Sequence, residues 1–185
     1  MSDNWIALLR TAHSEFTARI AAVVDWDAPT PDTDWNTRDL VAHVTEDQQW
    51  VPHLLQGRTT NEAKIAIAPL GDDLAAEWRR YSAGALAAWE AADLRASVHL
   101  SYDTVKASDY LAEQVGDITI HTWDLARATG TSEELDEDLV DAVWDVFEPQ
   151  AGLLEASGLF APAVEVPSDA PLRVRLLALT GRDAG

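Results

Sequence analysis

"GDITIHTWDLARATG", Gly116 to Gly130, sets Asp117, His121 and Asp124 four and three residues apart among Ile118, Ile120, Leu125, Ala126 and Ala128. Residues on a helix advance by about 100° each, so His121 falls about 40° around from Asp117, and Asp124 about 20° to the other side. The three polar side chains then leave one face of the helix, one above the other. Gly130 suits the position just past a helix end, after Arg127 in the last turn. Two readings follow. These are ordinary polar residues near a helix edge, or they hold a metal ion.

The neighbouring segments are helical too. Trp5, Leu8, Leu9, Ala12, Phe16, Ile20 and Val23 recur at threes and fours, predicting a helix over residues 4–24. Pro29, Pro31 and a run of aspartates then mark a loop over residues 25–35. "WNTRDLVAHV" opens a second helix, with Asn36 or Thr37 as N-cap and Asp39 in the first turn. Its buried stripe is Leu40, Val44, Val51 and Leu55, and Pro52 should kink or break it before Gly57 closes it.

Residues 58–71 read as a linker, and residues 72–92 as a third helix carrying Leu74, Trp78, Tyr81, Ala85 and Trp89. "SVHLSY" (97–102) suits a short extended segment. A fourth helix starts near Ser108 or Asp109 and ends at Gly130. A fifth begins near Leu135, with Leu139, Val143, Val146 and Phe147, and bends at Pro149 before Gly158. A terminal helix capped by Ser168 or Asp169, with Pro171 in its first turn, would stop at Gly181. Four long amphipathic helices without a strand-rich region predict an all-α bundle. A chain of 185 residues suits one domain, 1–185, with 159–185 as a tail packing on the bundle.

Composition narrows the function. With 13 Lys plus Arg against 32 Asp plus Glu, the formal net charge is −19, which disfavours nucleic acid and anionic membrane surfaces as partners. There is no cysteine, so disulfides, thiolate ligands and cysteine nucleophiles drop out. No apolar run approaches the roughly 20 residues of a membrane span, and the N-terminus lacks the pattern of a signal peptide. A cytoplasmic location is the default. No G-x-S-x-G, P-loop or G-x-G-x-x-G motif is present.

A D-x-x-x-H pair can offer two ligands from one helix, and a chelate then needs a third from another helix. His43, three residues after Leu40 and beside Val44, lies on or next to the buried stripe of the second helix. An imidazole there must find a partner or cost on the order of 1–3 kcal/mol. His43, Asp117 and His121 would make two imidazoles and a carboxylate with room for water, a set that suits zinc and also iron(II). Taken alone, a histidine beside an apolar stripe is more often a satisfied core histidine than a ligand. Asp124 reads most simply as a surface partner of Arg127, or else as a carboxylate supporting a liganding imidazole. Glu46 and Asp47 read as surface charges within reach of the site's mouth. His13, His53 and His99 have no matching partners in the sequence.

"WNTRDLVAHV" (35–44) and "DITIHTWDLARATG" (117–130) resemble the two signatures of actinobacterial proteins with the metal-binding domain of mycothiol-dependent maleylpyruvate isomerase. That domain belongs to the DinB/YfiT-like group of four-helix bundles. "RLLALTGRD" (175–183) is similar to the tail of a single-domain branch described as metal-binding. The resemblance spans nearly the whole chain. It implies a divalent metal ion, zinc before nickel or iron, held by His43, Asp117 and His121, with Asp117 standing where the isomerase has glutamate. The implied partners are a small thiol such as mycothiol and a small electrophile, and the implied activity is thiol transfer or an isomerase-like reaction. The alternative is a metal- or ligand-binding bundle without catalysis. A homodimer is left open, and no residue is assigned a catalytic role.

Overall fold

The computed structural model of the protein describes residues 2–32, 34–157 and 160–184. Helix α1 (Ser2–Ile20) buries Leu8, Leu9, Ala12, Phe16 and Ile20, and stops four residues short of the predicted end. Val24, included in the predicted helix, is 96% exposed, so nothing repays ordering it.

The loop that follows is drawn tight onto the next helix. Thr37 donates its backbone N–H to Ala28, and Arg38 donates its own to Trp26. Asn36 caps α2 (Thr37–Leu55) in a reciprocal box: its side chain accepts from the Asp39 amide at 2.9 Å, and the Asp39 carboxylate accepts from the Asn36 amide at 3.2 Å. Pro52 does not break α2, which continues to Leu55. The proline costs α2 the one bond that its missing N–H would make to the Gln48 carbonyl, and the helix continues for three more residues. Gly57, at φ 82°, then makes the left-handed turn that ends the helix.

The predicted linker contains a helix, α3 (Thr60–Ala66). Thr59 and Glu62 form its capping box, and it packs Ala63 into the core. Asp73 caps α4 (Leu74–Ala91), which buries Leu74, Trp78, Ala85 and Trp89. A hairpin of β1 (Ser97–His99) and β2 (Thr104–Lys106) follows, with Val98 paired to Val105. Helix α5 (Ala107–Thr129) starts directly from it and ends in a left-handed Gly130.

Helices α1, α2, α4 and α5 pack together, α1 on α5 and α2 on α4. Helix α5 is buried nearly all round from Gln114 to Ala126, so it is the centre of the bundle. Helix α6 (Glu137–Phe147), capped by Asp136, lies on α5; a 3₁₀ turn over Glu148–Gln150 separates it from α7 (Ala151–Ser157). The bend thus falls at Pro149 as expected, and Gly158 lies outside the described residues. Helix α8 (Leu172–Leu179) is preceded by Pro171 and not by a side-chain cap from Ser168 or Asp169. It packs on α6 and buries Leu176 and Leu177.

Candidate metal centre

Each of the three predicted ligands is placed by local rules. The Asn36–Asp39 box fixes the start of α2, and His43 sits two turns further on. Asp117 and His121 share one face of α5 because they are four residues apart. Their donor atoms and that of His43 lie within 4.8 Å of one another, so two helices converge on one point. His121 Nε2 is 3.4 Å from Asp117 Oδ1, and His43 Nε2 is 4.0 Å from Asp117 Oδ2.

A tetrahedral zinc site with bonds of about 2.0–2.1 Å separates neighbouring ligand atoms by about 3.3 Å. The His121–Asp117 spacing meets that value, whereas His43 Nε2, 4.0 Å from the other Asp117 oxygen, would have to move inward by about 0.7 Å. The donor set, two neutral-capable imidazoles and a carboxylate, fits a divalent cation.

The electrostatics are set by burial and by charges around it. His121 is 3% exposed. Burial disfavours its charged form, but Asp117 and Asp124 outweigh that, and its pKa is pushed up to about 10. Burial likewise opposes ionisation of Asp117, yet His121, His43 and Arg182 hold its pKa below the usual carboxylate range. For His43 burial dominates and lowers the pKa, so this ring is neutral and its lone pair free at pH 7. The Trp35 ring lies against both imidazoles, 4.5 Å from His43 and 5.6 Å from His121 between centroids. It walls one side of the cluster.

Two residues stand differently from the sequence reading. Asp124 is no surface partner of Arg127; it is fully buried, and its Oδ2 lies 3.0 Å from His121 Nδ1. Arg127 instead pairs with Glu133 at 2.8 Å. The i, i+3 spacing to Arg127 was a competing geometry that burial overruled. Asp47 is not a free surface charge either. Its Oδ2 is 3.7 Å from His43 Nε2, and burial, with Asp117 adding to it, raises its pKa well above the ordinary value. Among the other histidines, His13 is buried against Gln48 at 3.1 Å, while His53 and His99 make contacts away from the cluster, with Arg58 and Thr104.

Arg182 is the residue that local sequence patterns could not find. It reaches both Asp124 oxygens, Nε to Oδ1 at 3.2 Å and Nη2 to Oδ2 at 2.8 Å, across 58 residues of sequence. Its Nη2 also lies 3.5 Å from Asp32 Oδ2. Nothing local in the "RLLALTGRD" tail points to Asp124 as its partner.

Comparison with known proteins identifies the family and the fold. Residues 9–126 match the family model described as the mycothiol maleylpyruvate isomerase N-terminal domain. Two solved structures share the fold. One is the mycothiol-dependent maleylpyruvate isomerase with a histidine replaced by alanine, at TM-score 0.69 and 18% identity, covering 85% of this chain and 72% of that one. The other is the mycothiol-dependent maleylpyruvate isomerase, at TM-score 0.62 and 20% identity, covering 77% of this chain and 67% of that one. These likenesses bear out the expected all-α, DinB/YfiT-like fold. No curated protein matches the chain. Among the described residues no helix is long and apolar enough to cross a membrane.

Proposed function

Because the chain belongs to the mycothiol maleylpyruvate isomerase N-terminal domain family, we propose that it holds a divalent metal ion, zinc first, through His43, Asp117 and His121 and carries out thiol-dependent chemistry there. The observation that carries the reading is the convergence of three donor atoms from α2 and α5 within 4.8 Å. Bound there, the ion would supply Lewis acidity that lowers the pKa of a small thiol such as mycothiol and makes its thiolate available at neutral pH.

The chain's own groups have separate tasks. Asp124 accepts the His121 Nδ1 proton and so turns Nε2 toward Asp117. Trp35 covers the imidazole faces and keeps water from that side. Asp47, whose pKa burial raises, lies with Oδ2 3.7 Å from His43 Nε2, placed to take up or return a proton there. The electrophile is a small molecule, and the reaction is thiol transfer or a thiol-dependent isomerisation. We place it in the cytoplasm.

Elemental analysis of untreated protein tests the centre, with about one zinc per chain expected for the native sequence and a large loss in both His43→Ala and His121→Ala. Unchanged stoichiometry in both variants would remove the site. Metal-dependent conjugation of mycothiol to a model electrophile tests the chemistry. If the metal is present and no small thiol reacts, the protein is a non-catalytic metal- or ligand-binding bundle.

A further inference from the structure

Arg182 is 4% exposed, and every polar group of its guanidinium is engaged. Nε and Nη2 grip the two oxygens of Asp124, and Nη1 donates to the Thr180 carbonyl at 2.7 Å. Its backbone N–H donates to Leu177 at 2.8 Å. The turn that delivers it is built for that purpose. Gly181 has φ 81°, and a Cβ there would come within 2.6 Å of the Ala161 Cβ, so only glycine fits.

A buried ion pair of this kind is weak evidence for stability, because apolar residues of similar shape often do as well. What the planar fork supplies is direction. Asp124 Oδ2 is shared between Arg182 Nη2 at 2.8 Å and His121 Nδ1 at 3.0 Å. With both oxygens pinned, the carboxylate cannot rotate, and Oδ2 stays aimed at the Nδ1–H of His121. That in turn keeps His121 Nε2 pointed at Asp117.

We propose that Arg182 is a positioning residue of the centre: it holds Asp124 as the fixed acceptor that orients His121, so docking of the C-terminal tail sets whether the ligand cluster is competent. The inference rests on the metal-binding reading for its consequence, though not for its geometry. Without the fork, a lone buried carboxylate would swing toward another donor or be neutralised, and His121 would lose its guide.

Cobalt(II) binding and NMR of the histidine ring nitrogens, at one fixed pH, test it in the full chain. In Arg182→Met, cobalt(II) affinity is expected to fall about 10- to 100-fold. In the metal-free variant the protected His121 Nδ1–H resonance should be lost, a change that loosened packing elsewhere would not cause. Arg182→Lys keeps the charge but cannot grip both oxygens, so it should fall between the two and serves if the Met variant does not fold. Wild-type affinity together with an intact His121 Nδ1–H signal in either folded variant would overturn the role of Arg182. Should the native protein bind no cobalt(II), the metal-binding reading fails, and the ring N–H signal alone then decides whether Arg182 orients His121.

Discussion

His121 is held between two carboxylates of its own helix: Asp124 Oδ2 lies 3.0 Å from Nδ1, and Asp117 Oδ1 lies 3.4 Å from Nε2. The i−4 and i+3 spacings bring one carboxylate to each ring nitrogen. In the metal-free protein the charged ring presents one N–H to each carboxylate. A cation arriving at Nε2 takes the place of one proton while Asp124 keeps the other.

Metal uptake should therefore release a proton from His121. Its pKa, pushed up to about 10, means the ring is charged at pH 7, and a ligand must be neutral on Nε2. His43, whose pKa is lowered, and Asp117, whose pKa is also lowered, are already in their binding forms. About one proton per ion should be released at pH 7, and apparent affinity should rise about tenfold per pH unit between pH 6 and 8. Calorimetry in two buffers of different ionisation enthalpy measures the proton count. A heat independent of the buffer would contradict this account of the site.

One of the histidines outside the site, His13, makes a stability prediction of the opposite sign. His13 is buried edge-on to Trp78 and hydrogen-bonded to Gln48, and burial pushes its pKa down to about 4. The unfolded chain takes up that proton near pH 6.5, the folded one only near pH 4. The neutral ring's contribution is thus complete above pH 6.5 and is lost as pH falls toward 4, by at most on the order of 3 kcal/mol. Urea unfolding at pH 7 and pH 5 should show the drop, and His13→Gln should flatten it. An equal pH slope in that variant would assign the acid sensitivity to other groups.

Periodicity and capping carried most of the fold, and the places where they failed have physical reasons. The stripes of α1, α2, α4 and α5 are legible because each is amphipathic or flanked by a cap. Helix α3 hides in a stretch that reads as linker because its seven residues are too few for a periodic signal, although Thr59 and Glu62 spell its capping box. In the site, the Asp117–His121 pair is local and could be read from spacing. His43 came from its place beside an apolar stripe. Arg182 could not be read in that way, since its contact with Asp124 spans 58 residues and depends on how the tail folds back. Asp124 misleads for the same reason: its partner Arg182 is remote in sequence, while Arg127, three residues on, offers a false one.

Gly116, the first residue of the stretch that carries Asp117 and His121, fixes how closely α6 can approach. A Cβ at this position would stand 2.5 Å from Cζ and 2.7 Å from Cε1 of Phe147, a ring that is 4% exposed at the end of α6. Alanine would gain about 1 kcal/mol of helix propensity in a free helix. Here the aromatic ring, wedged beside Phe160 with centroids 6.0 Å apart, has to move, and overpacking of this kind costs typically about 1–3 kcal/mol. Gly116→Ala should therefore lower the melting temperature. Adding Phe147→Leu should restore part of it, because the smaller side chain makes room for the methyl group. Thermal unfolding of the two single variants and the double variant measures the coupling. A strictly additive pair would show that Gly116 is not the point at which α6 is set against α5.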